Sequence, residues 1–325
     1  MSPILISGLI NLETTLRVDG FPLEYAPVRY PFFGVNSTVC GVGYNIAKAL
    51  ATLGDAVRLM SIIGEDAAGS LARHALAADG ISDEFVIAGA PHTAQSVILY
   101  DPDGRRQIHV DLKDIQERAY PEALFDRAAQ GCDVAVLCNI NFSRPFLRKA
   151  RAMGMTVATD VHAIADLDDP YNRDFMAAAD ILFMSDERLP CGPEEWARQV
   201  MSRYGPRVVV IGLGAQGALL AIRGGAMERI PAVRTRPVVN TIGAGDALFA
   251  CFLHFYSSAT HLRGASHVEA LRKAVVFASY KAVVFASYKI GAAGAAEGFL
   301  TEAELERQCA GNHSVHHRGR GDRRE

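Results

Sequence analysis

Val238-Val239-Asn240-Thr241-Ile242-Gly243-Ala244-Gly245-Asp246-Ala247-Leu248-Phe249 is a β-branched run that breaks into a glycine turn and opens an apolar helix. Glycine lets a backbone approach a ligand closely. The first N–H groups of the helix have no partner inside it and point outward, with the positive end of the helix dipole behind them, so the turn is suited to cradle an anion. Asp246 adds chemistry to the cradle. A carboxylate at that mouth repels a resting anion, which points to a task such as taking the proton from a hydroxyl that attacks a phosphoryl group. The alternative is an aspartate that only caps the helix.

Outward from this turn, apolar β-branched runs alternate with helical patterns: residues 4–6 then 43–53, 57–63 then 67–78, and 134–137 then 145–153. Runs at 156–159, 181–184 and 208–211, with a helical pattern over 194–204, continue the series. Such alternation predicts an α/β fold, a mostly parallel sheet sandwiched by helices. Residues 14–18 with 28–33, and 96–100 with 107–111 around the Asp101-Pro102-Asp103-Gly104 turn, predict antiparallel strands and a hairpin instead. They are too short to form a second core and are read as a small β flap, the kind of lid that covers a site and excludes water. The predicted organisation is a single domain over residues 1–310 with flap strands from about 12–36 and 95–111. Residues 311–325, with His313, His316, His317 and four arginines but no apolar periodicity, are read as a disordered tail.

Composition narrows the function classes. Half of the 325 residues are hydrophobic, which excludes disorder for most of the chain. A formal charge of −3 leaves no basic footprint for nucleic acid apart from the tail. Cys40, Cys132, Cys138, Cys191, Cys251 and Cys309 are scattered without a CxxC pair or zinc spacing, and read as reduced thiols. Met1 leads into the strand-like run 4–6 without a basic leader, and no apolar run approaches the roughly 20 residues that span a bilayer. A soluble cytoplasmic protein, with no nucleic-acid or membrane partner, is the expectation.

Residues 273–280 read KAVVFASY, and residues 281–288 repeat them letter for letter. Identity over eight adjacent residues marks a duplication rather than a repeat of solenoid size. Kept helical, the extra copy adds about 12 Å of length and turns everything downstream by about 80° around the axis. Packed interiors resist a rotated apolar face more than surface loops resist extra residues. One copy is therefore expected to be displaced from the core, and its deletion to raise thermal stability.

Four segments, in order and at matching separations, resemble the ribokinase (PfkB) family of sugar and nucleoside kinases over nearly everything from Ile4 to about Leu305. They are Cys40-Gly41-Val42-Gly43-Tyr44-Asn45-Ile46-Ala47 with Leu53-Gly54, Gly64-Glu65-Asp66-Ala67-Ala68-Gly69, Gly214-Ala215-Gln216-Gly217-Ala218, and Asn240 through Asp246. The resemblance implies a ribokinase-like fold and use of ATP and Mg2+. It also implies that Asp246 takes the proton from the substrate hydroxyl, and that the Gly243, Ala244 and Gly245 amides hold charge on the transferred group. Gly41, Gly43 and Asn45 would sit against the sugar or nucleoside, with a helix cap as the other reading of Asn45. Asn11 and Glu13 fall where the family places an acidic residue on sugar hydroxyls; an exposed surface Glu13 is the alternative. Thr241, Gly214 and Gly217 fall on the nucleotide side, and Asp186 and Glu187 are candidates for holding the metal through water.

Departures accompany the matches. Asn240 stands where the family signature has an aspartate, which removes a charge that could organise magnesium. Tyr30, Phe32 and Phe33 fit either stacking on a ligand or packing of the flap. Lys273, Lys281 and Lys289 read as solvated helix lysines, and His109 and His162 show no partner spacing. Two functions compete: an ATP-dependent kinase acting on a hydroxymethyl group, and a catalytically impaired relative that binds nucleotide or sugar for regulation. A nicotinamide dehydrogenase is excluded because no Gly-x-Gly-x-x-Gly follows the first strand. Exposed flap edges make a homodimer through the flap an expectation.

Overall fold

A computed structural model describes residues 2–225, 227–261 and 268–318. The chain begins β1 (Ile4–Ser7), β2 (Asn11–Arg17), β3 (Val35–Cys40), α1 (Val42–Thr52), β4 (Val57–Gly64), α2 (Ala67–Ala78) and β5 (Val86–Ala90). It continues β6 (Ala94–Tyr100), β7 (Arg106–Asp111), α3 (Glu122–Ala129), β8 (Val134–Leu137), α4 (Phe146–Ala152), β9 (Thr156–Asp160) and α5 (Arg173–Ala178). The remainder is β10 (Ile181–Ser185), α6 (Pro193–Tyr204), β11 (Val208–Gly212), β12 (Ala218–Ile222), β13 (Met227–Ile230), α7 (Ala244–His261), α8 (Val268–Lys289) and α9 (Glu302–Arg318).

The main sheet has the order β13-β12-β11-β10-β9-β8-β1-β4-β5. It is parallel from β5 to β11, and β12 and β13 close it antiparallel. Side chains of a strand alternate between faces, and both faces of this sheet are dry. Ile4 and Ile6 of β1 join the core under α1, α7 and α8. Leu5 joins a second core with Phe125 of α3, Phe146 of α4, Phe175 of α5 and Trp196 of α6. A mostly parallel α/β sheet between helices is thus the architecture. β1 lies between β4 and β8, so strand order reverses there, and α/β sheets place their ligands beyond the carboxyl ends of the strands at such a point.

A separate four-stranded sheet has the order β3-β2-β6-β7. Residues 28–33, expected to be a strand, are an exposed loop; the strand that pairs antiparallel with β2 is β3. Pro27 and Pro31 lack the N–H that a ladder needs, and Phe33 adopts a left-handed backbone, so pairing starts only past Gly34. The β6–β7 hairpin forms around the expected turn.

The duplication has a different outcome from the one expected. Both copies lie in the single 22-residue helix α8, and neither is displaced. Neither copy contains glycine or proline, so nothing in the letters breaks the helix. α8 packs on α7, α9, β12 and β13, and residues 281–285 of the second copy are all buried, so a rotated face still meets protein. Identical residues therefore meet different surroundings: Phe277 is 50% exposed and Phe285 1%. α9 runs to Arg318, into the segment read as a tail, and residues 319–325 lie outside those described. Among the described residues no helix is long and apolar enough to cross a membrane.

Candidate active site

The glycine turn sits at the amino end of α7, which starts at Ala244. Gly243 has φ +72°, and a Cβ there would lie 2.5 Å from the Ala295 carbonyl oxygen, so only glycine fits. Asn240 is buried and braces the turn from inside: its Nδ2 donates to the Ala293 carbonyl at 2.6 Å, and its Oδ1 accepts from Ile242 N at 3.1 Å. A carboxylate at 240 could not donate to Ala293. The amide is thus a working part of the turn.

Asp246, in the first turn of α7, is held from the other end of the chain. Asn45 Nδ2 of α1 donates to Asp246 Oδ2 at 2.6 Å, joining residues 201 positions apart. Burial pushes the Asp246 carboxyl up, and the Asn45 hydrogen bond works against it. Asn45 Oδ1 and Asn11 Oδ1 are both buried without a hydrogen-bond partner, while Asn11 Nδ2 donates to Ser96 Oγ at 2.9 Å. Two buried amide oxygens without partners call for hydrogen-bond donors such as hydroxyls. Glu13 is buried rather than exposed, and burial raises its carboxyl. Burial also pushes the neighbouring Cys40 thiol up to about 12, so Cys40 stays protonated and donates to Glu13 Oε1 at 3.6 Å.

The register of the second sheet puts Asn11 and Glu13 on one face with Ser96 and Ile98 of β6 and with Val110, Ile108 and Arg106 of β7. That face leads from the orphaned amides to the glycine turn, where Arg106 ends against Thr241 Oγ1 and pairs with Glu187 at 3.1 Å. An open hollow of about 400 Å³ lies here, lined by Gly104, Arg105, Arg106, Ile108 and Glu187.

Other candidates have different surroundings. A Cβ on Gly41, at φ +104°, would lie 2.4 Å from the Leu9 carbonyl oxygen, and one on Gly43 2.6 Å from the Gly8 carbonyl carbon. Their identity answers first to the close passage of α1 past the end of β1. Gly217 is required by Ile230, whose oxygen a Cβ would approach to 2.0 Å, whereas Gly214 faces open space. Asp66 caps α2, accepting from Gly69 N at 2.8 Å and Thr93 Oγ1 at 2.6 Å, so this signature segment fixes the start of β6. Asp186 and Glu187 follow β10; burial raises the Asp186 carboxyl, and Glu187 is taken by Arg106.

Two residues near the site, Arg106 and Asp160, escaped the sequence reading, and two more, His162 and Lys289, were read as outside it. Arg106 is signalled only by hairpin parity with Ile108 and Val110. Asp160, at the end of β9, has Oδ2 4.0 Å from where a Gly245 Cβ would stand. His162 has a left-handed backbone and donates its N–H to Asp160 Oδ1 at 2.7 Å. Lys289 is fully buried, and with Lys281, also buried, departs from the expected solvated lysines. Lys289 Nζ donates to the Ile242 carbonyl, and burial lowers its ammonium to about 8.

A glycine turn onto α7, with a buried carboxyl group held by Asn45 and unpartnered amide oxygens on Asn11 and Asn45, gives this α/β fold a polar site of the kind that a kinase needs. The chain belongs to the pfkB family of carbohydrate kinases, whose sequence profile matches residues 2–286. It is 31% identical over 259 residues to an ATP-dependent ribose-1-phosphate kinase of Halopiger xanaduensis, covering 78% of this chain and 84% of that protein. It is 28% identical over 282 residues to an acarbose 7(IV)-phosphotransferase of Actinoplanes sp., covering 85% and 91%. A solved microbiome-derived acarbose kinase superposes with a TM-score of 0.78 at 26% identity, covering 95% of this chain and 99% of that one. The ribokinase of Giardia lamblia, at 16% identity and TM-score 0.80 over 96% and 99%, shares the fold.

Proposed function

We propose that this carbohydrate kinase is an ATP-dependent phosphotransferase that phosphorylates a hydroxymethyl group of a small sugar or nucleoside. The observation that carries the reading is the Asn45–Asp246 hydrogen bond, which sets a buried carboxylate at the mouth of an anion turn and beside two unpartnered amide oxygens. Asn11 and Asn45 accept hydrogen bonds from the hydroxyls of the acceptor, and Glu13 binds a further one. Asp246 takes the proton of the attacking hydroxyl, and the amides of Gly243 and Gly245 hold the charge that develops on the migrating phosphoryl group, whereas Ala244 N, expected to join them, donates to the Thr241 carbonyl at 3.3 Å and closes the turn. ATP is supported by the name of the Halopiger relative and by a ribokinase of Arabidopsis thaliana, of the same fold, solved with ribose and ATP.

Mg2+ would neutralise the phosphates. Among the described residues no three His, Cys, Asp or Glu side chains gather to hold a metal, so the ion would take its shell from phosphate oxygens and water. Asp160, Asp186 and Glu187 would then hold that water. Thr241, Gly214 and Gly217 lie on the nucleotide side. The four-stranded sheet acts as the lid, with β7 closing on the turn through Arg106, and its edge strands offer a surface for a homodimer. The bracing by Asn240 favours a competent kinase over an impaired binding protein, since the turn keeps its shape without the family aspartate.

Asp246→Asn tests the assignment. The variant removes the base and keeps an oxygen for Asn45; kcat is expected to fall by about 10³-fold, while ATP still stabilises the protein in a thermal shift. Equal ADP release by the variant and the parent, over a panel of sugars and nucleosides, would sink the assignment.

A further inference from the structure

Lys289 ends α8, far in sequence from any signature segment, yet it is 0% exposed. A lysine fully withdrawn from water is costly unless its charge is answered. The charged and titratable groups that face it are Glu13 of β2, Cys40 of β3, Asp246 of α7 and Glu297 of the loop after α8. Three of these are carboxyl groups, and two of them are the ones that would hold and activate the acceptor hydroxyl. The ammonium does not bond a carboxylate in the structure. It donates instead to the carbonyl of Ile242, the residue before Gly243.

That contact has a geometric consequence. The peptide joining Ile242 to Gly243 is planar and trans, so its C=O and N–H point in opposite directions. An ammonium that grips the Ile242 oxygen from the interior therefore turns the Gly243 N–H outward, toward the mouth of the turn, and polarises it. The same ammonium places a positive charge behind the turn without standing in the way of a ligand. Neighbouring backbone is fixed independently: Val239 N and Asn240 N both donate to the Ile290 carbonyl, at 2.9 and 3.2 Å. The end of α8 thus supports the anion turn from behind.

We propose that Lys289 is a positioning residue for phosphoryl transfer: its buried ammonium, bonded to the Ile242 carbonyl, aims the Gly243 amide at the migrating phosphoryl group and supplies positive charge behind the turn. The inference rests on the kinase reading above. Its support from titration is separate. Lys289 has an ammonium lowered to about 8, so the charge is present at neutral pH and leaves as pH rises through that value.

The test compares wild type with Lys289→Met, which keeps the length of the side chain and removes the charge. In the variant kcat is expected to fall about 100-fold with the acceptor KM little changed, as for loss of one anion-hole donor. Wild-type kcat should decline above about pH 8, and the folded variant should lack that limb. In Lys289→Ala, methylammonium should restore part of kcat. An unchanged kcat in Lys289→Met, or an alkaline limb shared by the folded variant and wild type, overturns the proposal. If Lys289→Met does not fold, wild-type kcat that stays flat well above pH 8 overturns it and a decline there supports it. Absence of wild-type turnover on every acceptor would instead defeat the kinase reading. Tripolyphosphate affinity by calorimetry would then decide the matter: about 10-fold weaker binding by Lys289→Met supports the proposal, and equal binding overturns it.

Discussion

Phe277 and Phe285 occupy the same place in two copies of one eight-letter unit, and truncating each to alanine should have very different effects. Phe285 is 1% exposed and stacks on Phe299 with ring centroids 5.7 Å apart. Its loss leaves a cavity that the packed helices around α8 cannot fill, which costs about 3–5 kcal/mol. Phe277 is 50% exposed; it keeps an edge contact with Phe255 at 5.7 Å and a Lys281 ammonium 5.1 Å from its ring centroid. Those contacts contribute about 1 kcal/mol together. With a urea m value of about 3 kcal/mol/M, Phe285→Ala should lower the midpoint by roughly 1 M or more, and Phe277→Ala by about a third of that. Urea unfolding followed by the fluorescence of Trp196 measures both. Equal losses, or a larger loss at Phe277, would refute the continuous-helix reading and restore the displaced copy.

Two further outcomes follow from buried and bridging charges. His254 and Asp55 are both buried and bonded at 2.8 Å; burial lowers the imidazole, but Asp55 and Glu302 outweigh it and the folded value is raised above 6.5. A raised histidine contributes stability that is fully present below about pH 6.5 and is lost as pH climbs through the folded value, so unfolding free energy should decline across that window in wild type and not in His254→Gln. Equal pH slopes would contradict it. Arg106→Ala should reduce kcat about 10- to 100-fold, because its guanidinium reaches Thr241 of the glycine turn, and leave the melting temperature unmoved, because exposed ion pairs stabilise little. A variant with wild-type kcat would remove Arg106 from the transfer step.

The parts of this molecule that could be read from letters are those whose chemistry is local. The β-branched run 208–211 reads as a buried strand, and Gly243-Ala244-Gly245 as a turn onto a helix, and the structure has both. The family resemblance assigned Asn11, Glu13, Asn45 and Asp246 to one substrate, and the structure bonds Asn45 to Asp246. What escaped depends on tertiary surroundings. Two identical octapeptides carry no information about which of them lies beneath α9. Lys289, between an apolar helix and Gly291, looks like any helix-ending lysine until the loop over residues 290–298 folds across it. Arg106 lies on a strand that is exposed throughout, where hydropathy gives no direction and only its pairing with β6 assigns a face. Gly41 and Gly43 were legible as glycines with a purpose, but the nearest atoms that exclude a Cβ belong to Gly8 and Leu9 rather than to a ligand.

The bond between Asn45 and Asp246 ties the opening fifth of the polypeptide to its last third. A chain emerging from the ribosome carries Asn11 and Asn45 early, but it acquires Asp246, the glycine turn and Lys289 only much later in translation. Nascent or truncated products should therefore be silent rather than partly active. A split between residues 45 and 246 would make two inert fragments whose reunion could be followed by the return of turnover.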